Sequence, residues 1–139
     1  MTSHYPIQTA IVVDDNEVDL FIQKRFIEMS HFANKIITFS SPGQALAAIQ
    51  SDPNQPPGVI FLDLNMPVIN GFEFLEALQL NSSTGLDQLK VVILTSSNNQ
   101  VDYERAHAYK NVIGFISKPL TQQRLDELVK RIKPDVDME

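Results

Sequence analysis

The chain reads as an α/β domain, a doubly wound parallel sheet built from five βα units, and three features predict it. Five short runs rich in Val, Ile and Phe recur along the 139 residues. They are apolar throughout rather than alternating, as strands covered on both faces must be. Segments of helical period separate them, and strict strand-helix alternation is the pattern of a parallel sheet. The third feature is polar: carboxylate, hydroxyl or ammonium side chains stand at the ends of four of the runs.

Taken in order, the first strand is Ala10–Val13. The helix after it is expected to turn Val18, Phe21, Ile22, Phe26 and Met29 inward, with Asp19, Lys24, Arg25 and Glu28 largely off that face. The second strand is Lys35–Phe39. Ser41 then reads as an N-cap, with Pro42 at the first helical position of a helix through Ala45, Leu46 and Ile49. The proline-rich loop Asp52–Gly58 stops that helix, because proline lacks a donor and clashes with a continuing turn. The third strand is Val59–Leu62, and Gly71–Leu80 forms a helix facing inward through Phe74, Leu75 and Leu78. Asn81–Gly85 ends it. The fourth strand, Val91–Leu94, is followed by a helix over Asn99–Lys110 with a weak stripe of Val101, Ala106, Ala108 and Tyr109. The fifth strand is Val112–Ile116. The last helix, about Thr121 to Ile132, places Leu125, Leu128, Val129 and Ile132 on one face, and Lys130, Arg131 and Lys133 suit its C-terminal dipole.

Composition narrows the function classes. Lys and Arg number 11 against 17 Asp and Glu, a net charge of −6, and there is no cysteine. This excludes disulfides, thiolate nucleophiles and Cys-based zinc sites. An acidic balance argues against direct DNA binding, which is driven by Lys and Arg displacing counterions. A chain of about 150 residues buries roughly 68–70% of its unfolded surface, enough for one self-sufficient core. One domain is therefore expected over residues 1–139, with a core of about 9–133, a short flexible N-terminus and an unstructured acidic tail at Asp135–Glu139. No apolar run approaches the roughly 18 residues of a membrane span, and the start MTSHYPIQT lacks the regions of a secretory signal. A cytoplasmic location is expected, without membrane attachment.

The chemistry lies at the strand ends. Asp14 and Asp15 follow the first strand, Asp63 the third, Thr95 the fourth and Lys118 the fifth. Sites in open α/β sheets form outside the carboxyl ends of the strands, where the winding reverses. Each residue taken alone also reads as a turn, cap or solvated charge. Jointly they do not, because two unit charges about 4 Å apart cost roughly 4 kcal/mol at an effective dielectric of about 20. Something cationic belongs among them, and an all-oxygen, carboxylate-rich site suits Mg²⁺. Asp, Mg²⁺, Lys and Thr together point to phosphoryl transfer onto an aspartyl oxygen.

These residues resemble a family. Asp14-Asp15 after Ile-Val-Val, Asp63-Leu-Asn-Met-Pro67 through Gly71, Thr95-Ser96 after Val-Val-Ile-Leu, and Phe115-Ile-Ser-Lys118-Pro119 resemble the receiver domain of two-component response regulators. The resemblance runs from Ile11 to about Ile132 and is similar to stand-alone, chemotaxis-type receivers. It implies a flavodoxin-like sheet of order 2-1-3-4-5. It also implies that Asp63 is the phosphoacceptor, with Mg²⁺ held by Asp15, Asp63 and the backbone carbonyl of Asn65, and by Asp14 through water or from outside the ligand sphere. Lys118 and Thr95 would contact phosphoryl oxygens, and Thr95 with Phe115 would form the switch. The Lys118–Pro119 bond resembles the family's cis peptide. Asn65 and Ser97 stand where the family tunes phosphoryl lifetime.

The implied partners are a sensor histidine kinase or histidine phosphotransfer protein and a downstream protein, with a homodimer possible through the output face. That face is expected on the fourth helix, fifth strand and fifth helix. Such a protein assists its own phosphorylation and slow dephosphorylation rather than acting as a conventional turnover enzyme. Three alternatives compete. A dehalogenase-like aspartyl phosphatase wants an Asp where Asn65 stands. A flavin module would meet repulsion from Asp14, Asp15 and Glu17. The third is a receiver-like interaction module without phosphotransfer. His4, His31 and His107 stand apart from the motifs and read as surface residues, while Tyr103 and Tyr109 read as packing or interface residues.

Overall fold

A computed structural model describes residues 6–51, 58–64, 71–80, 90–95, 100–109, 111–118 and 120–132. Strands β1 (Ile7–Val13), β2 (Ala33–Phe39), β3 (Val59–Asp63), β4 (Lys90–Thr95) and β5 (Val112–Ser117) alternate with five helices. These are α1 (Glu17–Met29), α2 (Pro42–Ser51), α3 (Gly71–Leu80), α4 (Gln100–His107) and α5 (Gln122–Ile132). Every strand pair is parallel, in the order β2-β1-β3-β4-β5, so the expected doubly wound, flavodoxin-like sheet is present. The loop over 52–57, the segment 81–89 and the tail from 133 lie outside the described residues.

Side-chain alternation divides the central strands between two cores. Ile11, Val13, Ile60, Leu62, Val91 and Ile93 pack with α2, α3 and Ala106 of α4. Ala10, Val12, Val59, Phe61, Val92 and Leu94 pack with Leu20 and Ile27 of α1 and with Leu125 and Leu128 of α5. Both faces of β3 are buried along its whole length, which is why it carries no polar residue before Asp63. Full burial of each such side chain contributes about 1.5–3 kcal/mol.

Helix α1 departs from expectation. The stripe predicted to face inward is largely outside: Val18 is 66%, Phe21 67% and Met29 62% exposed. Leu20, Gln23 and Ile27 are the buried residues, and Phe26 only edges onto the core. Because α1 is apolar on most sides, hydrophobicity alone does not choose its inward face. Asn16 caps the helix, its side chain accepting from the Asp19 N–H at 3.0 Å. At the other end His31 takes a left-handed φ of 56°, letting the His31 and Phe32 N–H groups donate to Glu28 and Ile27, a Schellman closure. Between these capped ends, residues 20, 23 and 27 face the sheet.

Other helices follow their sequence signals. Ser41 caps α2, its Oγ accepting from the Gln44 N–H at 3.4 Å, and Thr121 caps α5, accepting from the Arg124 N–H at 3.3 Å. The α4 helix is shorter than predicted, closing in tight turns in which Ala108 and Tyr109 donate to Arg105 and Ala106. Of its expected stripe, Ala106 is buried, Val101 stands 69% exposed and Tyr109 packs on the neighbouring core.

Candidate functional site

Sheet register brings the polar residues to one edge. Val13 pairs with Leu62, so Asp14 and Asp63 emerge side by side from β1 and β3, the two strands between which the winding reverses. Thr95 pairs with Ser117, and the Lys118 N–H donates to the Thr95 carbonyl at 3.0 Å, which leads the lysine out level with the two aspartates. Parallel pairing alone thus converges residues as far apart as 14 and 118.

The carboxylates meet closely. One oxygen from each of Asp14, Asp15 and Asp63 lies within 4.8 Å of the others. Asp14 and Asp63 are buried and Asp15 is exposed. The Lys118 ammonium stands 2.8 Å from Asp14, 3.0 Å from Asp19 and 3.6 Å from Asp63. Burial is the largest influence on this lysine and favours its neutral form. It is outweighed by the hydrogen bonds to Asp14 and Asp19 and the charges of Asp63 and Asp14, so the pKa lies above 10.5. Lys118 is therefore a cation throughout the neutral range.

Asp14, only 1% exposed, has both oxygens engaged. Oδ1 accepts from the Asn16 N–H at 2.9 Å. Oδ2 accepts from Lys118 at 2.8 Å and from Gln23 Nε2 at 3.3 Å. Such a carboxylate is held rigidly, whereas Asp15 is exposed. Lys118 brings one positive charge to the carboxylates of Asp14, Asp15, Asp19 and Asp63, which leaves the edge strongly electronegative.

Of the residues singled out in the sequence, Asp14, Asp15, Asp63 and Lys118 come together, and Thr95 is buried at the end of the adjoining strand. Phe115 is half-buried on β5 and packs on the core below. Asn65, Ser97 and Pro119 lie outside the described residues, as does His4. His31 and His107 are exposed, as expected of surface residues, and the His107 ring also lies 4.9 Å from that of Phe115, tilted by 39°.

Two residues escaped sequence reasoning. Asp19, expected largely off the inward face of α1 and given no role there, reaches Lys118. Gln23 is buried and donates to Asp14, while its Oε1 is buried with no hydrogen-bond partner among the described residues. The amide must present Nε2 to Asp14, since the flipped orientation would set oxygen against oxygen. The detectable signal was spacing: Asp19 and Gln23 are four apart, and Gln23 lies three and four residues from Leu20 and Ile27, on the stripe that the richer Phe21 face obscured.

Fold and acidic edge define a receiver-type α/β signalling domain, and comparison with known proteins agrees. Residues 10–130 match the response regulator receiver domain. Response regulator Rcp1 of Synechocystis is 30% identical over 132 residues, covering 92% of this chain and 88% of that protein. A response regulator receiver protein from Dyadobacter fermentans, solved by crystallography, is 33% identical with a TM-score of 0.81, over 90% of this chain and 97% of that one. The hybrid signal transduction histidine kinase C of Dictyostelium discoideum is 29% identical over 126 residues, and the match spans 10% of that longer protein. The chain belongs to the response regulator receiver domain family. It is a receiver domain of two-component signalling, a family that generally binds Mg²⁺ at an acidic pocket and interacts with histidine kinases or phosphotransfer proteins and with downstream effectors. No helix among the described residues is long and apolar enough to cross a membrane.

Proposed function

We propose that Asp63 accepts a phosphoryl group from a phosphohistidine on a kinase or phosphotransfer protein, in the cytoplasm. The observation that carries this is the position of Asp63 at the end of β3, its carboxylate oxygen within 4.8 Å of those of Asp14 and Asp15 and 3.6 Å from the Lys118 ammonium. A carboxylate oxygen attacks phosphorus and forms the O–P bond of an acyl phosphate. The donor's P–N bond breaks, and its electron pair leaves with the imidazole nitrogen. Lys118 offers N–H donors and charge to one phosphoryl oxygen, and the Thr95 hydroxyl donates to another.

The acidic edge fits Mg²⁺: oxygen donors only, closely spaced, with more negative charge than Lys118 balances. Asp15, Asp63 and the Asn65 carbonyl would hold the ion, with Asp14 supporting from behind. Bound there, Mg²⁺ supplies charge neutralisation to the transferred oxygens.

The output reading rests on Phe115. Its ring lies under His107 of α4, so inward movement of Phe115 as Thr95 engages the phosphoryl group must change the contact with α4. Signal would leave through α4, β5 and α5 to a downstream protein. Incubation with acetyl phosphate and Mg²⁺ tests the whole: wild type should take up one phosphoryl group, Asp63→Asn none, and beryllofluoride should alter amide exchange across residues 95–125. Uptake by Asp63→Asn contradicts the acceptor, and unchanged exchange contradicts the output face.

A further inference from the structure

We infer that Asp19 is a positioning residue that competes with the phosphoryl group for Lys118. The inference rests on Asp63 as acceptor and concerns a carboxylate outside the acceptor motifs. The two short bonds of the ammonium, 2.8 Å to Asp14 and 3.0 Å to Asp19, fix its place, while Asp63 stands farther away at 3.6 Å. A phosphoryl group on Asp63 adds about −1.5 to −2 charge and three strong acceptors, so it draws the ammonium toward itself.

One of the short bonds then has to lengthen, and the two are unequal. Asp14 is buried, and its oxygens are also bound by the Asn16 N–H and by Gln23. It cannot follow the ammonium, and losing Lys118 would leave a buried charge poorly compensated. The Asp19 side chain is 36% exposed on the first turn of α1, where water replaces the lysine at low cost. Asp19 is therefore the partner released. In the unphosphorylated protein it restrains Lys118, and only an acceptor that outbids it completes the site, which shifts the balance toward the unliganded arrangement.

Beryllofluoride with Mg²⁺, titrated by NMR, is the probe. Asp19→Asn should tighten binding about three- to fivefold, the scale of a half-exposed ion pair. Glu17→Gln removes the same charge from the same helical turn without touching Lys118, and should change binding by less than that. In the unliganded protein the Lys118 ¹⁵Nζ resonance should move in Asp19→Asn and stay in Glu17→Gln. In the beryllofluoride adduct the wild-type and Asp19→Asn resonances should coincide. Equal effects of the two variants, weaker binding by Asp19→Asn, or a resonance difference that persists in the adduct overturns the inference. Beryllofluoride binding by Asp63→Asn would instead overturn the acceptor assignment on which it rests.

Discussion

Gln23 shows how much of this site depends on residues that no motif contains. It is a neutral donor buried against the buried carboxylate of Asp14. Replacing it by glutamate keeps the volume and sets a second acid against the first. Gln23→Glu should lower stability by roughly 2–4 kcal/mol, the range for an uncompensated buried charge, measured by urea unfolding; a loss under about 0.5 kcal/mol would contradict the buried contact. Lys118 makes the complementary point. Its pKa is raised above 10.5, so its stabilising charge is complete below the unfolded value and is lost only as pH rises through the folded one. In a pH titration its ¹⁵Nζ resonance should show no inflection in the neutral range, and a midpoint near neutrality would contradict the observed partners. Any neutral-pH change in phosphorylation then belongs to the donor or to other groups.

Among the elements, α1 carries the largest difference between sequence and structure. Val18 and Phe21 stand in solvent in the first two turns of the helix that follows the Asp14-Asp15 loop, so an apolar patch lies at the end of α1 nearest the acidic edge. A protein phosphodonor has to come over that edge, and exposed apolar side chains beside a reaction site are suited to holding it. Phe21→Asp should leave stability within about 0.5 kcal/mol and leave phosphorylation by acetyl phosphate unchanged, while slowing transfer from the cognate protein donor at least about tenfold, on the scale of a lost interface anchor. Equal slowing with both donors would place the effect in the acceptor site instead. The strands and helices α2, α3 and α5 were legible because each has one unambiguous apolar pattern or cap, as Ser41 and the Leu125–Leu128 pair illustrate. The α1 helix was not, since Leu20 and Ile27 on one side and Phe21 and Met29 on the other satisfy the same periodicity. Tertiary packing decided between them, and with that choice came Asp19 and Gln23.

For the whole molecule, the sheet order does most to make the site. Residues 14, 63, 95 and 118 meet because β1, β3, β4 and β5 are neighbours in parallel register, which the strand-end positions of those residues already indicated. The sequence could not indicate how Lys118 divides itself among three carboxylates, because this depends on ångström-scale distances set by helix rotation. The crowding of acids has a global consequence. Bringing Asp14, Asp15 and Asp63 within reach of one cation costs stability that a divalent ion returns by binding only the folded state. Millimolar Mg²⁺ should raise the melting temperature of wild type by about 2–5 °C, EDTA should reverse this, and Asp63→Asn should show a smaller rise. A rise of equal size in Asp63→Asn would place the ion elsewhere.

The site of the phosphoryl group itself is the most direct question. After acetyl phosphate and Mg²⁺, borohydride reduction converts an aspartyl phosphate to homoserine, which peptide mass spectrometry locates. Homoserine at position 63 alone is the expected result, and its appearance at Asp14, Asp15 or Asp19, or nowhere, would contradict the assignment of Asp63 as the acceptor.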